Sequence, residues 1–423
     1  MLFTVGSTNP NFSYIIQKNP NTIRESSTPF TRSLKKGKIY GWFTNLDNSE
    51  FRLWFKDSET EVSFSDTHEI EYIDKTRYSH PYGVFQIISD TLRAAYHGDP
   101  ERDVEGYSAY AESIIRSKGY LLLSKFGYPG LTITPLISDY YHIRVSSSTV
   151  KDVLVKFLVI CIITAIHNDD LYISLKKDSI LRFIKLINES HAPYLVRATF
   201  LTKFITNPDF FNHLKVENFI DTPEMEFQFG NAQIQRLEVV SKALLQKDKS
   251  EILIDIGCGE LYHSKKLSTE YEVVHAYDKD KEVVEKNLRK LKTLDFGDNI
   301  RCINQEVTPS FILENTSLIE GSDVILIETL EHLEIKEARA LLKTIIEVKP
   351  NRIVITVPNR EFNKNFNFDE SDFRHPDHKW EPNKDELIKF LGDAGVPKSS
   401  YTIEDVGNKV NGQPITLAVT WKP

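Results

Sequence analysis

Glu328, Glu331 and His332 are the residues of this chain whose types and spacing most suggest chemistry. Side chains three and four positions apart share a face over one helical turn, so two carboxylates and an imidazole converge. Such a set offers oxygen and nitrogen ligands to one divalent cation. Arg374-His375-Pro376-Asp377-His378 can add a further imidazole, and either His375 or His378 fits, because Pro376 prevents a regular helix there. Oxygen with imidazole suits Mg²⁺ or Mn²⁺, and the histidines favour Mn²⁺. About 70 residues upstream, Asp255-Ile256-Gly257-Cys258-Gly259 forms a glycine-rich turn, and Asp278 follows about 20 residues on. Glycines let a backbone turn tightly and approach a ligand, and an acid at the next strand end can hold two ribose hydroxyls.

Elements must position these groups. Val324-Ile325-Leu326-Ile327 is an apolar run that delivers Glu328 to the carboxyl end of a strand. From residue 231 onward the pattern alternates. Helices are expected over 231–245, 262–268, 281–292 and 335–348, and strands over 252–256, 273–277, 323–327 and 352–357. This is the rhythm of a doubly wound, mostly parallel sheet, whose ligands gather at the carboxyl ends of its strands. A helix over 385–394 and a closing strand pair, 401–406 and 415–421, complete that part. A polar segment at Asp221-Thr222-Pro223-Glu224 marks the expected boundary between domains 1–220 and 221–423.

The first domain reads as mixed α/β. Strands are expected at Leu2–Val5, Gly37–Phe43, Phe51–Phe55, Glu61–Phe64, Tyr120–Leu123 and Leu131–Thr134, and helices over 84–96, 179–188 and 194–206. Its histidines are scattered and read as structural or surface residues. The apolar run Phe157–Ile166 is too short to span a bilayer and reads as a buried helix or strand.

The chain carries 52 Lys+Arg against 60 Asp+Glu, a net charge of −8. Residues 1–220 hold 25 basic and 24 acidic groups and the remainder 27 and 36, so the acidity lies in the second domain. Long-range attraction of a polyanion to that half is weak, and a nucleic-acid substrate must be gripped locally. Cys161, Cys258 and Cys302 are far apart with no CxxC pair, which suits a reducing compartment. With no readable leader, a cytoplasmic location is expected.

D-x-G-x-G followed by an acid after the second strand resembles motifs I and II of class I (Rossmann-like) methyltransferases, which bind S-adenosylmethionine. The dinucleotide pattern G-x-G-x-x-G fails, because Glu260-Leu261-Tyr262 follows Gly259 with no third glycine. The absence of an Asn/Asp-Pro-Pro-Tyr segment after the fourth strand disfavours amine methylation. The E-x-x-E-H cluster, Thr356-Val357-Pro358-Asn359-Arg360-Glu361-Phe362-Asn363 and Arg374-His375-Pro376-Asp377-His378-Lys379-Trp380-Glu381 together resemble the HEN-type small-RNA methyltransferases. The resemblance spans roughly 228–423, including Gln233, Arg236 and Gly412-Gln413-Pro414. It implies methyl transfer from S-adenosylmethionine to the 2′-oxygen of the 3′-terminal ribose of RNA. It also implies Glu328, Glu331, His332 and His378 as catalytic and metal-ligating residues. Asp255, Gly257, Gly259 and Asp278 would hold the methyl donor, with Val307 near adenine. Where the family has D-x-G-C-G-E-G, Leu261 replaces the last glycine, so a side chain that crowds the donor or alters the turn is expected.

The first domain resembles the extra domain of bacterial members in Asn11–Pro20 and His191–Arg197. There the resemblance implies a ligase-activating domain working with a polynucleotide kinase-phosphatase and an RNA ligase to reseal cleaved RNA such as tRNA. Two other readings stand beside this one. One is a metal-dependent O-methyltransferase for small diols, and the other is a non-catalytic scaffold of a repair complex.

Overall fold

The computed structural model describes residues 2–17, 20, 29–34, 37–44, 47–57, 80–118, 127–168, 175–293, 298–366 and 373–422. The strands expected at Glu61–Phe64 and Tyr120–Leu123, and His68, lie outside them. Contacts divide the chain into two compact units, Met1–Thr206 and Asn207–Pro423.

In the first unit, β1 (Leu2–Ser7), β2 (Phe30–Leu34), β3 (Gly37–Phe43), β4 (Glu50–Asp57), β5 (Ala109–Arg116), β6 (Leu131–Pro135) and β7 (Tyr140–Ser147) form one sheet. Its order is β2-β3-β4-β1-β5-β7-β6, and each neighbouring pair is antiparallel. Strands β2, β5 and β7 carry exposed or polar residues between apolar ones and were not expected from the sequence. The apolar run around Phe157 belongs to the helix Val150–His167, whose N-terminus is capped by Thr149 Oγ1 accepting from Asp152 N. Thirteen of its eighteen residues are buried. A helix apolar on all sides needs neighbours on all sides, and it packs against β5, β7 and the helices Pro81–Thr91 and Lys177–Glu189. Among the described residues, no helix is long and apolar enough to cross a membrane. The helix expected over 84–96 is broken at Leu92 into Pro81–Thr91 and Arg93–His97. In the segment His191–Arg197, the buried Arg197 ties two helices together: its Nε donates to Ala192 O at 2.8 Å and Nη1 to Asn188 Oδ1 at 2.5 Å.

In the second unit the strands are β8 (Met225–Glu226), β9 (Ile252–Ile256), β10 (Val273–Asp278), β11 (Ile300–Asn304), β12 (Asp323–Ile327), β13 (Arg352–Pro358), β14 (Tyr401–Val410) and β15 (Gln413–Trp421). Their order is β11-β10-β9-β12-β13-β15-β14-β8. The first five run parallel, and β15 enters antiparallel to β13. Burial on both faces explains the continuous apolar sequences of β12 and β13, every residue of which is buried. The strand order reverses between β9 and β12. The crevice at that switch point opens above the carboxyl ends of the strands, where the glycine turn and Glu328 both emerge.

Candidate active site

The glycine turn leaves β9 with Gly257 at φ 75° and Gly259 at φ 49°, backbone conformations that favour glycine. A Cβ on Gly257 would stand 2.6 Å from Thr329 Cγ2, in the loop after β12. Thr329 Oγ1 in turn donates to Ile256 O at 3.0 Å. The two loops therefore interlock. Gly259 N donates to Asp278 Oδ2 at 2.9 Å, which draws the carboxylate at the end of β10 to the turn.

Gly257, Gly259, Asp278, Val307, Glu328 and His332 line one cleft of about 370 Å³. Gln305 and Glu306 line it too, and they were not foreseen because the edge strand β11 that leads into them lacks an apolar run. Asp255 does not line the cleft. It lies buried beneath, accepting from Ser264 Oγ at 2.5 Å, and burial with the nearby Asp278 charge pushes its carboxyl up to about 7.

Leu261 also lies outside the cleft lining. Its side chain is fully buried in the cluster that contains Val240, Leu244 and Leu253. The expected crowding of the donor is thus absent, and what remains is the altered turn, a left-handed leucine at φ 61° at the start of the helix Tyr262–Leu267.

The opposite wall follows β12. Glu328 adopts φ 53°, with its N–H donating to Thr356 O at 3.0 Å. Its carboxylate faces Arg236 Nη1 at 2.9 Å and accepts from Thr356 Oγ1 at 3.2 Å. The next residues wind into a 3₁₀ turn, Leu330–His332, tighter than the α-helical turn the spacing suggested. This turn drives Glu331 inward to 0 % exposure. Among the described residues, neither of its carboxylate oxygens has a hydrogen-bond partner. Burial, followed by the charge of Glu328, pushes its carboxyl well above the usual range. Burial and the neighbouring His378 and His375 hold the His332 imidazole below its usual value.

One ligand atom from each of Glu331, His332 and His378 lies within 4.8 Å of the others. Glu328 stands outside that group, turned to Arg236. His375 stands outside as well, with its side chain 55 % exposed and its ring centroid 6.1 Å from that of His332.

His378 is held by a residue to which the sequence assigned no role. Its Nδ1 is 2.5 Å from Glu381 Oε1, on a glutamate with a fully buried side chain. With His378 Nδ1–H donating to Glu381, Nε2 is left as the ligand atom, the usual carboxylate–histidine arrangement behind a metal. Burial opposes the Glu381 charge. Hydrogen bonds from His378, Asn363 and the Arg374 backbone outweigh it and hold the carboxyl below its usual value. Arg374 also reaches Asn363 Oδ1 at 2.7 Å and Asn359 O at 2.6 Å. Lys379 N donates to Glu331 O at 2.7 Å and Trp380 Nε1 to Leu330 O at 3.0 Å. The Asn359–Asn363 and Arg374–Glu381 segments are therefore scaffold for the imidazole. Spacing of His378 and Glu381 at i, i+3 was the available signal.

An unpaired buried carboxylate costs several kcal/mol unless a cation joins it. Glu331 with two imidazoles is therefore a donor set that fits a divalent ion.

A parallel sheet of this strand order, closed by an antiparallel hairpin and bearing a left-handed glycine turn at its switch point, is the class I methyltransferase fold. The whole chain aligns with a chain of the solved Pnkp1/Rnl/Hen1 RNA repair complex at TM-score 0.72 and 20% identity, covering 100% of each, which shows a shared fold. The Hen1 N-terminal domain family matches residues 2–219. The chain belongs to the Hen1 family. It is similar to the small RNA 2′-O-methyltransferase of Caenorhabditis elegans, 21% identical over 46% of this chain and 46% of that protein. It is also similar to that of Xenopus tropicalis, 28% identical over 44% and 51%. The chain spans about half the length of the curated relatives it matches.

Proposed function

We propose that this protein transfers a methyl group from S-adenosylmethionine to the 2′-oxygen of the 3′-terminal ribose of RNA. The observation that carries this reading is the buried, unpartnered Glu331 carboxylate, set beside His332 and His378 at the edge of a glycine-turn cleft. The donor is held by the turn at Gly257 and Gly259, with Asp278 on its ribose hydroxyls and Val307 against adenine, while Asp255 supports the turn from below.

Glu331, His332 and His378, with Glu328 as the fourth ligand, would hold Mn²⁺ or Mg²⁺. Such an ion would supply Lewis acidity toward the hydroxyls of a free 3′ end. Glu381 fixes the His378 ring through Nδ1. A ring nitrogen of His375, which stands outside the ligand group, accepts the 2′-hydroxyl proton. The cleft aligns that oxygen with the sulfonium methyl. Selection by two hydroxyls is local, which suits an acidic domain acting on a polyanion.

In this reading residues 1–220 form the partner-binding, ligase-activating domain. The protein acts in the cytoplasm with a polynucleotide kinase-phosphatase and an RNA ligase on cleaved RNA such as tRNA. Leu261 sends its side chain into the core, so the residue that kept the scaffold reading open is not among those that line the cleft.

Labelled methyl transfer to a short RNA, with and without Mn²⁺, tests the reaction. Transfer is expected to a 3′-hydroxyl end and not to 3′-phosphate or 2′-deoxy ends. Transfer to the 2′-deoxy end at normal rate would refute the 2′-oxygen assignment. Co-elution of the full chain with the ligase tests the partner.

A further inference from the structure

Arg236 lies on the helix Ala232–Leu244, next to a residue that fixes the start of that helix. Gln235 is buried and its Nε2 donates to Gln228 O and Gly230 O, each at 3.0 Å. The guanidinium is thereby presented to the loop after β12. The Arg236–Glu328 pair is largely shielded, with side chains 16% and 22% exposed. Arg236 Nε is buried and, among the described residues, has no hydrogen-bond partner.

Glu328 is the only member of the expected four-ligand set that the structure leaves outside the group of Glu331, His332 and His378. Both of its oxygens are engaged, one by Arg236 and one by Thr356. Its backbone is anchored through Thr356 O, so rotation of the side chain alone would move the carboxylate. Glu328 lies close enough for its charge to disfavour that of Glu331, and Arg236 acts on Glu331 in the opposite sense. Two carboxylates thus share one guanidinium, and a shielded site without a counter-charge is costly.

We propose that Arg236 is the resident counter-cation of this site, holding Glu328 in the ion-free protein and surrendering it when a divalent ion enters. Guanidinium and ion compete for one carboxylate, so Arg236 sets how readily the site loads. The inference rests on the cation site proposed above.

The test is Mn²⁺ titration of the full chain, followed by electron paramagnetic resonance of the free ion, for the wild type, Arg236→Gln and Glu331→Gln. Arg236→Gln is expected to bind at least about tenfold more tightly, equivalent to about 1.4 kcal/mol. It should also melt lower without ion and gain more in Tm when Mn²⁺ is added. A crystal structure of the wild type grown with Mn²⁺ needs no variant, and it should show Glu328 on the ion and Arg236 detached.

Equal or weaker binding by Arg236→Gln overturns the proposal and makes Arg236 a residue that positions Glu328. So does a structure in which Glu328 keeps Arg236 beside a bound ion. Mn²⁺ binding that is lost in Glu331→Gln but unchanged in Arg236→Gln sinks this inference alone. No Mn²⁺ uptake by any of the three proteins sinks the cation site and this inference with it.

Discussion

The two walls of the cleft bury carboxylates in opposite ways. On the glycine-turn wall, Asp255 has a hydroxyl partner in Ser264 and Asp278 accepts from Gly259 N, so both acids are tied into the turn they support. On the ligand wall, Glu331 is fully buried with no partner at either oxygen among the described residues, while Glu328 is drawn off by Arg236. A buried polar group normally finds a partner, and an exception calls for a reason. The first wall is complete as folded. The second is built around a charge it does not itself supply.

Replacing the unpaired acid tests this contrast most severely. Glu331→Gln is expected to lower ion-dependent methyl transfer by about 10³-fold or more, since Lewis-acid assistance is worth several kcal/mol. Calorimetric binding of S-adenosylmethionine should stay near wild type. Without ion the variant should melt higher than wild type, because a neutral amide is cheaper to bury than a carboxylate. A lower melting temperature for the ion-free variant would mean that Glu331 is already satisfied, and the contrast between the walls would collapse.

Asp255 gives the matching test on the other wall. Its folded-state carboxyl lies at about 7, above the usual 3.8, mainly through burial. For an acid raised in this way, the stability it contributes is fully present below the unfolded value. That contribution is lost as pH rises through the folded one. Stability should therefore decline between pH ~4 and ~7, by at most about 4 kcal/mol for a shift of roughly three units. Asp255→Asn keeps the Ser264 contact in a neutral form and should remove most of that decline. Thermal melts of the ion-free protein across this range check it, and an undiminished slope in the variant would move the titration elsewhere.

What the sequence could and could not reveal follows the same physics. Strands β9, β10, β12 and β13 and the helices expected over 262–268, 281–292 and 335–348 were legible, because residues buried on both faces must be apolar and glycine must occupy the turn at 257. Strands β5, β7 and β11 were not, because alternating or edge strands leave short, broken patterns. At the site, Glu331 and His332 could be read from type and spacing, whereas His378 was singled out from His375 only by the family resemblance. The turn of Glu328 toward Arg236 could not, because it depends on a helix about 90 residues away in sequence. Glu381 lay in the segment that carried the resemblance, yet its role needed the 2.5 Å contact to His378.

Glu381 sharpens the comparison further, since, unlike Glu331, it has partners at both carboxylate oxygens. Glu381→Ala removes the acceptor that orients His378 and should weaken Mn²⁺ binding about 10- to 100-fold, the usual cost of losing such a support. Glu381→Gln, which retains an acceptor, should fall between the two. If resonance titrations give both variants wild-type affinity, His378 is not held for a metal.

The smallest effect is expected at Leu261, where two terms oppose each other on the glycine-turn wall. A left-handed leucine at φ 61° carries roughly 1–2 kcal/mol of backbone strain, which a glycine would relieve. The same substitution empties a fully buried leucine site, and deleting a buried leucine side chain costs about 2–5 kcal/mol. Packing wins in that comparison, so Leu261→Gly should be destabilised by about 1–3 kcal/mol, measured by urea unfolding. Donor affinity should hardly change, since the side chain is not part of the cleft lining. A variant that instead gains both stability and donor affinity would mean that Leu261 does press on the cleft, and the completeness of that wall would be lost.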